Sequence, residues 1–219
     1  AWRDIVVRYK QTVIGVAWAL IRPALTMVVF VLFRRLMGNP SGAVPDPILV
    51  LAAVLPWQFF SSALQDASGS LVGNANLISK VYFPRLIVPM ASVITALADF
   101  LVTLLLLAML MLWYGYAPGW TLVALPGLAF LAAALAFGTG LFFAALNVEY
   151  RDFRYVVPFM LQAMLYLSPV VYPVTLVPGR YHWVLALNPM TGIIDGYRSS
   201  ILGKPWNYTT LLVSGLTAF

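Results

Sequence analysis

Hydrophobicity along this chain is periodic at first and then runs in blocks. From Trp2 to Val16 the apolar residues Trp2, Ile5, Val6, Tyr9, Val13 and Val16 recur at helical spacing, while Arg3, Arg8, Lys10 and Gln11 fall mainly on other faces. That pattern predicts an amphipathic helix over residues 1–14, lying in a membrane surface with its cations toward lipid phosphates. Beyond it the apolar runs lengthen. A helix crossing the hydrocarbon layer needs roughly 20 apolar residues, and this yardstick divides the remainder into six predicted spans.

The first span runs from about Gly15 to Met37, with Arg22 and Pro23 near its inner end, and the second from about Ile48 to Leu71, turning polar through Ser61, Ser62, Gln65, Asp66 and Ser68. The third, Leu86 to Tyr114, carries Asp99 as its only charge, and the fourth, Trp120 to about Val148, carries none. Both are long enough to tilt. The fifth runs from about Val156 to Val177 and contains Pro158, Pro169 and Pro173; the sixth begins near Trp206. Between them, residues 178–204 are too short and too often polar for a span and predict one or two short re-entrant or interfacial helices. The fold class is therefore all-α, a polytopic membrane protein in a single domain over residues 1–219.

Composition strengthens this reading. With 62% hydrophobic and 9% charged residues and a mean hydropathy of +0.91, the chain has too much apolar surface for one soluble core. The net charge of +6 flanks apolar runs instead of forming a polar domain, so it reports membrane orientation and not nucleic-acid binding. With a cytoplasmic amino terminus, the inner segments hold Arg3, Arg8, Lys10, Arg22, Lys80, Arg85, Arg151 and Arg154; the outer ones hold Arg34, Arg35, Arg180, Arg198 and Lys204. The bias favours that orientation. Zero cysteines exclude disulfides, thiolate metal sites and cysteine nucleophiles. Because Ala1 is not an initiator methionine and the final apolar run reaches Phe219, both natural ends are expected to lie beyond this sequence.

Candidate chemistry is sparse. No GxxxxGK[ST] phosphate loop occurs, so any ATP hydrolysis belongs to another polypeptide. Asp99 inside an apolar helix is a proton-relay candidate, against the plainer reading that it pairs with an arginine or bonds to Ser92, Thr95 or Thr103. His182, the only histidine, stands beside Tyr181 and Trp183 and fits an interfacial aromatic cluster better than a metal site, which needs more ligands. A hydrolase reading from His182, Ser199 and Asp195 has no nucleophile motif behind it. Asp99, Glu149 and Asp152 make no acidic cluster for an intramembrane enzyme.

Two inner connectors carry more. In GNANLISKVYFPR, residues 73–85, Asn74 and Asn76 are suited to cap a short helix, Lys80 and Arg85 suit the inner surface, and Pro84 restricts Phe83. Such a helix is either an ordinary interfacial turn or a lever for a soluble partner. The second, NVEYRDFRY from Asn147 to Tyr155, alternates acid and base beside aromatics and reads as a solvated turn. Rings are frequent in three spans: Trp18, Phe30 and Phe33; Trp57, Phe59 and Phe60; Phe159, Tyr166 and, at the end of the fifth span, Tyr172. They are packing residues and interface anchors, or else flat walls along which sugars slide.

Four ordered pieces, RDIVVRYKQTVIGVAWALIRP, NANLISKVYFPR, VEYRDFRY, and SPVVYP followed by LNPMTGIIDGYRSSILG, together resemble the membrane subunits of ABC-2 type exporters for polysaccharides and polyol phosphates. The resemblance implies a homodimer of six-span subunits in the cytoplasmic membrane, each coupled to a separate cytoplasmic ATPase subunit that binds ATP and magnesium. This chain itself needs no cofactor. It implies that Asn76, Lys80, Tyr82, Phe83 and Arg85 belong to the loop touching the ATPase. A path between two copies would be lined by the first, second and fifth spans and the rings named above. Arg3, Arg8 and Arg22, by charge and location, would attract the pyrophosphate of a polyprenyl-linked glycan, with O-antigen the first expectation and capsule or teichoic acid the alternative. Other readings are a small-drug or lipid permease of the same architecture, and a passive channel.

Overall fold

In the computed structural model, the described residues are 15–36, 44–80, 82, 84–117, 119–170, 185, 188–203 and 205–218. They form eight α-helices and one 3-10 helix, with no strand among them. The predicted surface helix with Arg3 and Arg8, together with Phe83, Tyr172 and His182, lies outside the described residues.

Helix α1, Gly15–Leu36, contains Pro23 within its length. Helix α2, Asp46–Gly73, starts where prolines flank Asp46: Pro45 precedes the helix and Pro47 occupies its first turn, where a missing N–H costs nothing. Asp46 puts a carboxylate on the positive end of the helix dipole. Three segments have the length and hydropathy of membrane spans: α2; α4, Ile87–Trp113; and Trp120–Glu149. At 1.5 Å per residue, 27 or 28 helical residues reach about 40 Å, enough for a hydrocarbon core of about 30 Å. The third of these begins as a 3-10 helix, Trp120–Ala124, and continues as α5, Leu125–Glu149, with a proline in its first turn. Pro126 has no N–H for the carbonyl four residues back, which marks the point of change.

The end of α4 is a Schellman turn. Gly115, at φ 63°, donates to Leu112, and Tyr116 donates to Met111 at 2.9 Å, closing the last turn through the left-handed residue that glycine adopts at no steric cost. Helix α6, Phe153–Leu167, has 15 residues, roughly 22 Å, and is shorter than the predicted fifth span. It stops because Ser168 precedes Pro169 and is driven to extended backbone at φ −86° and ψ 148°. Helix α8, Tyr208–Ala218, has 11 residues.

Helix α2 is the axis of the bundle. It packs against α1, α4, α5, α6 and the helix Met190–Leu202, α7, and 78% of its most apolar stretch is covered, against 33% for the other two long segments. The closest seam is with α5, where Gly140 faces Ala67 so tightly that a methyl at position 140 would stand 2.7 Å from the alanine methyl. Small residues let membrane helices approach and gain dispersion contacts where apolar burial alone offers little.

Residues 178–204 were expected to hold short re-entrant or interfacial helices. The described part forms one helix, α7, Met190–Leu202, and 12 of its 13 residues are buried, so it sits within the packing and not on the surface. Gly192 allows this: its Cα hydrogens face the Thr210 carbonyl and Ser214 hydroxyl of α8, where no methyl would fit. Several polar groups of α7 are met by neighbouring segments, while the Thr191 and Ser200 hydroxyls are buried without a hydrogen bond among the described residues. Thr121 donates to the Ser200 carbonyl at 2.6 Å, Ser199 to that of Pro205 at 3.3 Å, and the Gly192 N–H donates to Ser214 Oγ at 3.1 Å. Gly203, at φ 64°, ends the helix.

Candidate functional site

The end of the bundle that carries α3, Ala75–Lys80, is polar. Helix α3 has no buried residue, Leu77 is half exposed and the Tyr82 ring is fully exposed. Asn74 joins α2 to α3. Its main-chain carbonyl accepts from Leu77 and Ile78, but its side-chain amide turns back and donates to the Ser70 carbonyl at 2.8 Å. The asparagine side chain therefore caps the end of α2 and not the start of α3. Ser79 donates to the Asn76 carbonyl at 3.2 Å. Lys80, Tyr82 and Arg85 all stand on the surface. The result is a short, exposed rod fixed at one end to the central helix.

Beside it lies a cavity of about 560 Å³. Residues of α2 from Gln65 to Gly73, with Asn74, form one wall, Ser92 and Thr95 of α4 another, and Asn147, Arg154 and Pro158 also line it. The polar turn of the second span, visible in the sequence, thus faces a shared recess. Asn147 was not singled out as a site residue by sequence. Its amide crosses from α5 to donate to the buried Ser68 carbonyl at 3.2 Å, and the available signal was an asparagine just inside the end of an apolar run. Farther along α2, the Gln58 amide donates to Thr26 Oγ1 of α1 at 3.2 Å, and that hydroxyl donates to the Arg22 carbonyl at 3.0 Å. Arg22 itself is exposed. On α4, the Ser92, Thr95 and Thr103 hydroxyls donate to main-chain carbonyls of their own helix, the last to that of Asp99. Glu149 and Asp152 lie exposed at the α5–α6 turn.

The aromatic candidates divide into two groups. Trp57, Phe59 and Phe60 are buried at 5%, 2% and 2% exposure. Trp57 and Phe60 rings are 5.9 Å apart, Phe59 meets Phe100 at 5.0 Å, and Phe100 meets Tyr197 edge-on at 6.2 Å. In this conformation these three rings are core packing within one chain. Their helix is covered along most of its length by five others, which the hydrophobic pattern of an isolated span does not reveal. Phe30 is partly buried against the same core. Phe33, Phe159 and Tyr166 are exposed, while Trp18 lies in the first turn of α1.

The opposite end holds a buried charge group that sequence treated only as topology signals. Arg34 Nε lies 3.6 Å from Asp46 Oδ1, with both side chains largely covered, and the more exposed Arg35 lies 3.7 Å from Oδ2. Arg198, also buried, donates to the Val170 carbonyl at 3.1 Å and lies within electrostatic reach of Asp195 and Arg34. Nearby, Asn188 donates to Ser168 Oγ at 2.6 Å and accepts from the Met190 N–H at 3.0 Å, tying the end of α6 to the start of α7.

A bundle with three long apolar helices, a covered central helix and a short exposed rod at one end defines a polytopic helical membrane protein. Its sequence matches the ABC-2 type transporter family over residues 1–202. The chain belongs to this family of transporter membrane subunits. It is similar to the O-antigen export system permease protein RfbA of Klebsiella pneumoniae, 27% identical over 99% of this chain and 84% of that protein. RfbA of Myxococcus xanthus is 28% identical over 90% and 76%. The polysialic acid transport protein KpsM of Escherichia coli is 24% identical over 91% and 78%.

Proposed function

We propose that this chain is the permease subunit of an ABC exporter that moves a polyprenyl-linked polysaccharide, O-antigen foremost, across the cytoplasmic membrane. The observation that carries the reading is its similarity, along nearly the whole chain, to two O-antigen export permeases. The weaker similarity to a polysialic acid transporter makes a capsular polysaccharide the second cargo.

In this reading two copies assemble with two cytoplasmic ATPase subunits, which bind ATP and magnesium. The amino terminus and the α3 end face the cytoplasm. Asn76, Lys80, Tyr82, Phe83 and Arg85 form the contact with the ATPase. Force on an exposed rod joined directly to α2 passes into the helix that touches most of the others. Arg3, Arg8 and Arg22 draw the carrier pyrophosphate to the inner surface. The glycan path uses the exposed rings Phe33, Phe159 and Tyr166 in preference to the buried rings of α2. Weak, flat contacts of this kind hold a sugar without trapping it.

The test is ATPase activity of proteoliposomes containing this chain and its ATPase subunit, with and without polyprenyl-linked glycan. Wild type should be stimulated by glycan, and Tyr82→Ala and Arg85→Ala should lose that stimulation while melting like wild type, since both residues are exposed. No glycan effect in wild type, or unchanged coupling in both variants, would sink the corresponding half of the proposal.

A further inference from the structure

The cavity beside α3 has a particular hydrogen-bonding character, because its serine and threonine hydroxyls already donate inside the protein. Ser70 Oγ donates to the Ala67 carbonyl at 2.7 Å, Thr95 Oγ1 to that of Ala91 at 2.9 Å, and Ser92 Oγ to that of Val88 at 3.4 Å. The amides of Asn74 and Asn147 donate to the carbonyls of Ser70 and Ser68. Each of these hydroxyls and amides still presents oxygen lone pairs. Asp66 adds a carboxylate to the lining, Gln65 an amide, and Arg154 a guanidinium.

Such a wall suits a ligand rich in O–H donors with one anionic group beside them. A bare phosphate offers acceptors to these acceptors. An apolar molecule would desolvate the lining with nothing in return. A volume of about 560 Å³ falls within the range of small-ligand sites. We infer that this cavity binds a polyhydroxyl group esterified to phosphate, its hydroxyls on the α2 and α4 oxygens and its phosphate on Arg154. Resting on the exporter reading, the ligand is the carrier-proximal sugar of the lipid-linked glycan, held next to the lever helix before transport. The same chemistry occurs in the glycerol headgroup of phosphatidylglycerol.

The experiment uses the full chain with its ATPase subunit in phosphatidylcholine nanodiscs, titrated with farnesyl diphospho-N-acetylglucosamine or with farnesyl diphosphate. Wild type should bind the sugar-bearing probe about tenfold more tightly. Gln65→Leu and Ser92→Ala should each cut that preference about fivefold, the effect of one lost hydrogen bond. Arg154→Gln should weaken both probes about tenfold. Phosphatidylglycerol doped into the discs should displace the sugar probe from wild type but not from Gln65→Leu if the lipid headgroup uses the same site; absence of displacement assigns the site to the glycan. Equal affinity of wild type for both probes, or wild-type preference in both Gln65→Leu and Ser92→Ala, overturns the site. If that happens while glycan still stimulates ATPase activity, the exporter reading stands. With cavity-dependent sugar binding but no ATPase response, the site holds and the exporter reading fails.

Discussion

Gly140→Ala is the sharpest test of the packing that holds the polar recess together. The added methyl would lie 2.7 Å from Ala67 Cβ, 3.7 Å from Leu64 Cδ1 and 3.8 Å from the Leu64 carbonyl oxygen. Carbon atoms rest at about 3.5–4.0 Å, so α2 and α5 must separate by roughly 1 Å. Neither methyl has a torsion that moves it aside, because each is fixed to its backbone. Overpacking of this kind costs about 1–3 kcal/mol, and at about 2–4 °C per kcal/mol for a chain of this length the melting temperature should fall by about 2–12 °C. Ala67→Gly alone loses a buried methyl and adds a helical glycine, together about 2 kcal/mol. Moving the methyl across the seam in the double variant Gly140→Ala/Ala67→Gly removes the clash. It should be more stable than the sum of the single effects by about 1–2 kcal/mol. Thermal unfolding of all four proteins in one detergent, followed by tryptophan fluorescence, measures this. Additivity within about 0.3 kcal/mol, or a Gly140→Ala melting curve identical to wild type, would refute the close approach. The same seam carries the Asn147 to Ser68 bond two turns away, so displaced helices should also lose the recess wall.

Two further outcomes separate packing from transport. Trp57→Ala and Phe60→Ala should each destabilise the protein by about 3–5 kcal/mol and reduce folded yield, whereas Phe159→Ala and Tyr166→Ala should stay within about 0.5 kcal/mol of wild type and lower glycan export in vesicles. Stable Trp57→Ala protein, or full export with both exposed rings removed, contradicts the division. At the opposite end, Asp46→Asn should cost about 1.5–3 kcal/mol by taking the Asp46 charge away from buried Arg34, while Arg35→Ala, at an exposed side chain, should cost at most about 1 kcal/mol. Melting temperatures of the two variants decide this, and equal shifts would mean that Arg34 is not the principal partner.

What the sequence determined by itself was whatever depends on local composition and spacing. Runs of apolar residues predicted α1, α2, α4 and the segment Trp120–Glu149 to within a few residues, because helix formation across lipid is a matter of length and hydropathy. The order of four short motifs carried the family, and the exposed position of α3 followed from its polar, basic connector. Prolines also acted locally, as at Ser168, where Pro169 ended α6 before the predicted span was complete. Tertiary structure decided which sides of those helices are covered. A hydrophobic span reads alike whether it faces lipid or five other helices, so the burial of Trp57, Phe59 and Phe60 could not be read from their spacing. Nor could sequence choose between a re-entrant and an interfacial place for α7, whose burial rests on contacts with four other segments. The Arg34–Asp46 pair, the Asn147 bridge and the acceptor-rich recess arise in the same way. Each joins residues remote in the chain, and only the packed helices bring their atoms within reach.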